Sequence, residues 1–369
     1  MLGERAGVSR RRFLADMGRF GALYSMAGTF PAMAFGKTPA RPQVTQTVVA
    51  DAGFASVRKI GEGLYATISD VSKGRSTICN GGFLFGKDGA LLVEGFGTAE
   101  GARFQLDTLR KVSEAPALGA LNTHYHYDHT LGNAYYGGKG LAIWAHSAVP
   151  QRILESYVPM QRMDRGAFVA PMERRIADAK TEAANQHAQG DLQLFGGVFD
   201  LVQKTTLTLP NRLLDPAKLP LSIDLGHFPV LIESYAGHSG TDLIVRAPEQ
   251  KVVYAGDLLF SGAYPVTFDA KSSISGWRET LKTFSTWDKN TIFVPGHGQP
   301  CAQEGIQLLR DVFDELVEQA EKSYKAGIPA GEAADRYVVP EKFKNVAVFA
   351  WGLSISPTFA KLYADWGAR

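Results

Sequence analysis

Eight histidines are spread over 369 residues, yet three of them fall within six positions: Thr123-His124-Tyr125-His126-Tyr127-Asp128-His129. Imidazole and carboxylate are the groups that a borderline divalent cation accepts. Packed this tightly, all four crowd a single ion. The spacing suits a turn on which His124 and His126 face one way while Asp128 and His129 face another, an arrangement that serves two adjacent ions. Three further motifs offer one potential ligand each: Gly237-His238-Ser239-Gly240-Thr241-Asp242, Tyr254-Ala255-Gly256-Asp257 and Val294-Pro295-Gly296-His297-Gly298. Singly, each reads as a turn or a satisfied core residue. Together they place a ligand at the carboxyl end of successive strands, where α/β proteins put their chemistry.

The elements that must carry these groups are legible from periodicity. A strand is expected over 90–93, after a Gly-Lys-Asp-Gly turn, then a helix over 99–113 with Phe104, Leu106, Leu109 and Val112 on one side. A second strand over 118–122 ends where the histidines begin. Residues 147–196 are long, charge-mixed and helical in pattern, with Met160, Met163 and Met172, and read as an insertion beside the site. Strands return at 221–225, 230–234, 243–245 and 252–254, followed by a helix near 276–287 and a strand at 291–294. An amphipathic helix spans 302–325, with Ile306, Leu309, Val312, Phe313 and Leu316 opposite its charges. One more helical segment lies in the tail. Two βα-rich halves around an insertion suggest an architectural duplication, without a repeat in the sequence.

Composition narrows the function classes. The chain is 45% hydrophobic and 21% charged with a net charge of +2, which excludes disordered and fibrous classes and gives no reason to expect a nucleic-acid partner. Two cysteines, Cys79 and Cys301, cannot build a disulfide scaffold; whether they pair is open. The N-terminus reads Ser9-Arg10-Arg11-Arg12-Phe13-Leu14, then a small, weakly apolar run and Pro31-Ala32-Met33-Ala34. This resembles a twin-arginine secretory signal. The expectation is passage through the Tat translocase, cleavage near Ala34 and a periplasmic mature protein. Residues 1–34 hold five arginines and two acids, so the remainder carries a net −1. The basic balance belongs to the signal. The resulting division is a signal over 1–34, a linker over 35–54, a catalytic domain over 55–330 with its insertion at 147–196, and a helical extension over 331–369.

His-x-His-x-Asp-His followed by distant His, Asp and His resembles the signature of the metallo-β-lactamase-fold hydrolases, and every position is filled. The resemblance covers about residues 55–300. It implies an α/β fold, a four-layer αβ/βα sandwich with the site at one edge between the sheets. It assigns His124, His126 and His238 to a first metal and Asp128, His129 and His297 to a second, with Asp257 bridging. The implied cofactor is two divalent ions, zinc first and iron or manganese next. The implied reaction is attack of a bridging hydroxide on a small ester, lactone, amide or phosphoester, with Asp128 orienting the nucleophile or receiving a proton. Alternatives within the resemblance are a mononuclear iron persulfide dioxygenase and a lactam hydrolase, the layout of 254–264 being similar to the histidine-rich β-lactamases. A non-catalytic binding protein on the same scaffold is a further alternative.

Around this set, Glu94 reads either as an acceptor that orients a ligand imidazole or as a plain strand-end glutamate. His146 is expected near the site in a supporting role. Tyr125 and Tyr127 touch substrate or merely pack. The loop over 264–273, with Tyr264 and Lys271, is a candidate for substrate contact. His187 and His227 are expected to be solvated.

Overall fold

The computed structural model describes residues 46–179 and 182–367. The export-signal reading and most of the 35–54 linker lie outside them. Two sheets form the centre. The first runs, in spatial and chain order, through β1 (Thr47–Asp51), β2 (Ala55–Gly61), β3 (Leu64–Ser69), β4 (Gly81–Phe85), β5 (Ala90–Val93), β6 (Ala117–Leu121), β7 (Ile143–His146) and β8 (Arg212–Leu214). It is antiparallel as far as β5 and parallel from there to β8. The second contains β9 (Leu221–Asp224), β10 (Pro229–Ser234), β11 (Leu243–Ala247), β12 (Val252–Phe260) and β13 (Ile292–His297) in the order β13-β12-β11-β10-β9. Strand β1 occupies the end of the stretch expected to be linker. Its Thr-Val-Val run is β-branched and pairs antiparallel with β2 at the sheet edge.

Side-chain alternation explains the layers. In β5, Leu91 and Val93 face the second sheet while Ala90 and Leu92 face outward, and all four are buried. In β12, Val252 and Tyr254 point between the sheets while Val253 and Ala255 point out. The inner faces thus make one core. The outer face of the first sheet is covered by α1 (Ala99–Val112) through Ala102, Leu106 and Leu109. Thr98 caps this helix by accepting the Gly101 N–H. The outer face of the second sheet is covered by α7 (Ile274–Ser285) and α8 (Gln303–Lys325), through Trp277, Phe284, Leu309 and Phe313 among others. The result is the layered αβ/βα sandwich.

Two short helices, α2 (Tyr127–Thr130) and α3 (Asn133–Gly138), follow β6. The insertion forms α4 (Val149–Gln161), α5 (Arg165–Asp178) and α6 (Glu182–Gln203), which pack around Ile153, Phe168, Phe199 and Val202. The tail holds α9 (Ala330–Arg336) and α10 (Ile355–Asp365), whose Ile355, Phe359 and Leu362 enter the same cluster as α7 and α8. Cys79 and Cys301 are both buried free thiols. Among the described residues no helix is long and apolar enough to cross a membrane.

Candidate metal centre

The parallel strand β6 delivers the histidine turn. Its chain leaves the sheet at Asn122, whose side-chain amide donates to His129 O at 2.8 Å and so closes the loop over 122–129. Thr123 O accepts the Leu243 N–H at 2.7 Å, tying this loop to β11 of the other sheet. His238 sits in the loop between β10 and β11. Asp257 lies inside β12, which continues to Phe260 instead of ending at the carboxylate as its sequence suggested. The pairing is irregular at Gly256. Its φ of +52° shifts the pairing register with β13, and a Cβ there would stand 2.4 Å from Thr123 Oγ1. His297 ends β13. Asn80, after the β3–β4 loop, fastens that end by donating to Pro295 O at 3.0 Å and Gly298 O at 2.7 Å.

All seven residues of the signature converge. His124, His126, His238 and Asp257 form one group and Asp128, His129 and His297 another, with the atoms of each within 4.8 Å of one another. Asp257 faces both: Oδ2 is 3.4 Å from His238 Nε2, and Oδ1 is 3.2 Å from His129 Nε2 and 3.5 Å from His297 Nε2.

Proton bookkeeping decides whether these residues suit cations. His238 Nδ1 lies 2.8 Å from Val266 O, so it donates, and Nε2 keeps a lone pair. His126 Nε2 faces Asp269 Oδ2 at 3.3 Å, which leaves the lone pair on Nδ1. Thr123 Oγ1 gives its proton to Glu94 Oε1 at 2.5 Å and therefore accepts from His124 Nδ1 at 3.1 Å, leaving Nε2 bare. These three bare nitrogens meet: His126 Nδ1 is 2.8 Å from His238 Nε2 and 3.0 Å from His124 Nε2. Facing lone pairs repel. A tetrahedral ion with bonds of about 2.0–2.1 Å holds its ligand atoms about 3.3 Å apart, within about half an ångström of this spacing. Burial first, and then the neighbouring histidines, hold His124 well below the ordinary imidazole range. Burial likewise brings His238 down to about 4. Both are therefore neutral ligands at neutral pH.

The second group is built the same way. Glu94 Oε1 stands 3.1 Å from His129 Nδ1. His129 Nε2 and Asp257 Oδ1 are buried with no hydrogen-bond partner among the described residues, the condition expected of atoms reserved for an ion. Asp128 Oδ2 is 3.2 Å from His297 Nε2 and 3.4 Å from His129 Nε2. Burial opposes charge on His297, but Asp257 and Asp128 outweigh it and raise the imidazole to about 9. The donor set of three imidazoles, two imidazoles and two carboxylates fits two divalent cations.

The supporting residues divide. Glu94 touches both Thr123 and His129, behind both groups. Tyr125 donates to Asp269, and Tyr127 lines the cavity at the centre. His146 belongs to neither group; its Nδ1 accepts the Ala148 N–H at 3.0 Å where α4 begins. Tyr264 is buried against the outer helices, its hydroxyl 3.0 Å from that of Tyr337. Lys271 is exposed, and its backbone N–H donates to Asp269 Oδ1 at 2.6 Å. Neither Tyr264 nor Lys271 lines the cavity, because the loop over 264–273 turns Val266 and Phe268 into it and Asp269 toward His126. His227 is a turn residue with φ +57°.

Asp269 and Arg152 are the residues that sequence reasoning missed. Asp269 is 2% exposed and accepts from Tyr125, from Arg152 Nη2 at 2.8 Å and from His126. Phe268 stacks on the His126 ring at 5.0 Å. The available signal was the position of the loop just after the Asp257 strand. Nothing in the chain pattern marked Arg152, which arrives from α4 of the insertion.

The model of the metallo-beta-lactamase superfamily matches residues 75–297, and the chain belongs to that superfamily. It is similar in fold to the stereoselective inverting sec-alkylsulfatase Pisa1 from Pseudomonas sp., with 16% identity, a TM-score of 0.56, and coverage of 85% of this chain and 50% of that one. The chain therefore spans half the length of that protein. A mono-zinc form of the metallo-β-lactamase FIM-1 from Pseudomonas aeruginosa gives 16% identity and a TM-score of 0.48 over 71% of this chain and 95% of that one. No curated protein sequence matches the chain.

Proposed function

We propose that this protein is a binuclear metal-dependent hydrolase, exported through the Tat translocase to the periplasm, that cleaves an ester, lactone, amide or phosphoester. The observation that carries this reading is the convergence of three bare imidazole nitrogens beside a second complete donor group, with Asp257 presenting one oxygen to each. His124, His126 and His238 would hold one ion and Asp128, His129 and His297 the other, with Asp257 between them. Zinc suits this set best, with iron or manganese next. When bound, such a pair lowers the pKa of a shared water toward neutrality and polarises the group under attack.

The chain's own residues supply the remainder. Glu94 fixes the orientation of the His124 ring through Thr123 and stands 3.1 Å from His129 Nδ1. Asp269 holds the proton of His126 on Nε2. Asp128 lines the cavity and is held well below the usual carboxylate range, because His129 and His297 outweigh the burial that opposes its charge. It is thus a charged carboxylate placed to accept a hydrogen bond from an attacking water and so orient it. The two donor groups support hydrolysis over the single-iron dioxygenase reading, which needs only two histidines and an aspartate.

Metal quantification followed by a panel of lactone, β-lactam, thioester, phosphoester and sulfate-ester substrates tests the proposal. Two ions per chain and turnover of a panel member are expected. Asp257→Ala should abolish turnover and loosen both ions; full activity in that variant removes the bridge assignment. One iron per chain with oxygen uptake on a persulfide overturns the hydrolase reading.

A further inference from the structure

The reactive end of the cavity and its walls come from different parts of the chain. A cavity of about 880 Å³ opens at His126, Asp128, Asp257 and His297. Val198 and Leu201 of α6 line it from the insertion, and Phe349 and Leu353 line it from the segment before α10. The latter pair lies beyond residue 297, where the superfamily match ends. The segment is strapped to the loop after β12, for the Thr267 N–H donates to Leu353 O at 2.8 Å and the Tyr264 N–H to Ala347 O at 2.8 Å. Such a volume lies near the top of the range for small-molecule sites, far beyond what a scissile group alone requires. Away from the donor groups that hold Asp128 and Asp257, the charged residues on the lining are Arg75 and Lys204 against Glu100 and Asp200, so the walls favour no one ionic charge.

We propose that the substrate of this centre carries an extended apolar arm, as in an ester of a medium-chain acid, seated between α6 and the segment before α10. This deepens the hydrolase reading and rests on it only for the bond that is cut. Water reaching these walls finds apolar side chains to hydrate, so each methylene that displaces it gains about fourfold in affinity when fully buried. A short-chain ester leaves most of that surface wet. The family core thus supplies the reaction, and the insertion and tail supply the choice of substrate.

Titration calorimetry of butanoate and octanoate into the zinc-loaded full-length chain, run beside turnover of the matched 4-nitrophenyl esters, tests this. Octanoate is expected to bind roughly thirtyfold or more tightly than butanoate, and kcat/KM to rise in the same order. Val198→Trp should cut the binding ratio below about threefold, while Leu201→Ala should shift the optimum to longer chains. Opposite shifts in these two variants, each with a native circular-dichroism spectrum, separate wall effects from general destabilisation. Butanoate and octanoate binding within threefold of each other overturns the proposal, even if both esters are cleaved. Strong octanoate preference with neither ester cleaved leaves the arm in place and removes carboxylic esters from the hydrolase reading instead.

Discussion

His126 is the ligand whose tautomer has the least local support, because its partner comes from a loop 143 residues away. Asp269 fixes that tautomer, and against its burial it is kept charged by His126 first and then by Arg152. Asp269→Asn can turn its amide N–H toward His126 and favour the wrong ring nitrogen. Zinc affinity is then expected to fall about 10–100-fold, read by chelator competition; an unchanged affinity would assign Asp269 to packing alone. A second outcome follows from protons. His297 is raised to about 9 by Asp257 and Asp128 against the pull of burial, whereas His238 is lowered to about 4 by burial. A ligand must be deprotonated to bind, so between pH 9 and pH 4 His297 gives up a proton for its ion and His238 does not. As pH falls, the Asp128–His129–His297 ion should leave first. Equilibrium dialysis at pH 8 and pH 6 is expected to find close to two ions and then close to one.

At the level of elements, the helical insertion carries its own pH response. Asp191 of α6 is 2% exposed and lies 3.1 Å from Arg175 of α5. Burial outweighs that partner and raises the carboxyl to about 7. A folded-state value above the unfolded one of about 3.9 means that the native state holds the extra proton, so stability falls as pH rises from about 4 to 7. Asp191→Asn mimics the protonated form. It is expected to match the parent's thermal midpoint at pH 4 and exceed it at pH 8; equal midpoints at both would show that Arg175 already neutralises the cost.

The same elements show what could be read in advance. The strand at 90–93 follows from a short apolar run after a glycine turn and the helix near 99–112 from its spacing, and the strands that lead to His238, Asp257 and His297 follow from apolar runs ending at glycine turns. The ligand turn was visible because its residue types are rare and closely spaced. Arg152 and Asp269 were not, since a contact across 117 residues leaves no periodic trace. Lys271 and Tyr264 were misplaced because a loop's composition does not say which of its side chains turn inward. Strand β1 was hidden by the Pro, Thr and Gln around it, although its edge pairing needs only a short β-branched run.

On the scale of the whole molecule, the centre draws His124, His126, Asp128 and His129 from the end of the first sheet, and His238, Asp257 and His297 from the second. The inner core already joins these halves through Leu91, Trp144, Val245 and Tyr254. An ion bound there acts as a rivet through both plates. Loaded protein should therefore melt in a single cooperative step, and chelation should lower the midpoint and let the halves respond separately, seen as broadened calorimetric transitions. If the chelated protein melts as sharply as the loaded one, the apolar interface alone sets the cooperativity. The placement of Asp257 adds a mechanical meaning to its chemistry. A carboxylate with one oxygen toward each group makes occupancy of either one a constraint on the other, so the two halves of the sandwich would communicate through a single side chain.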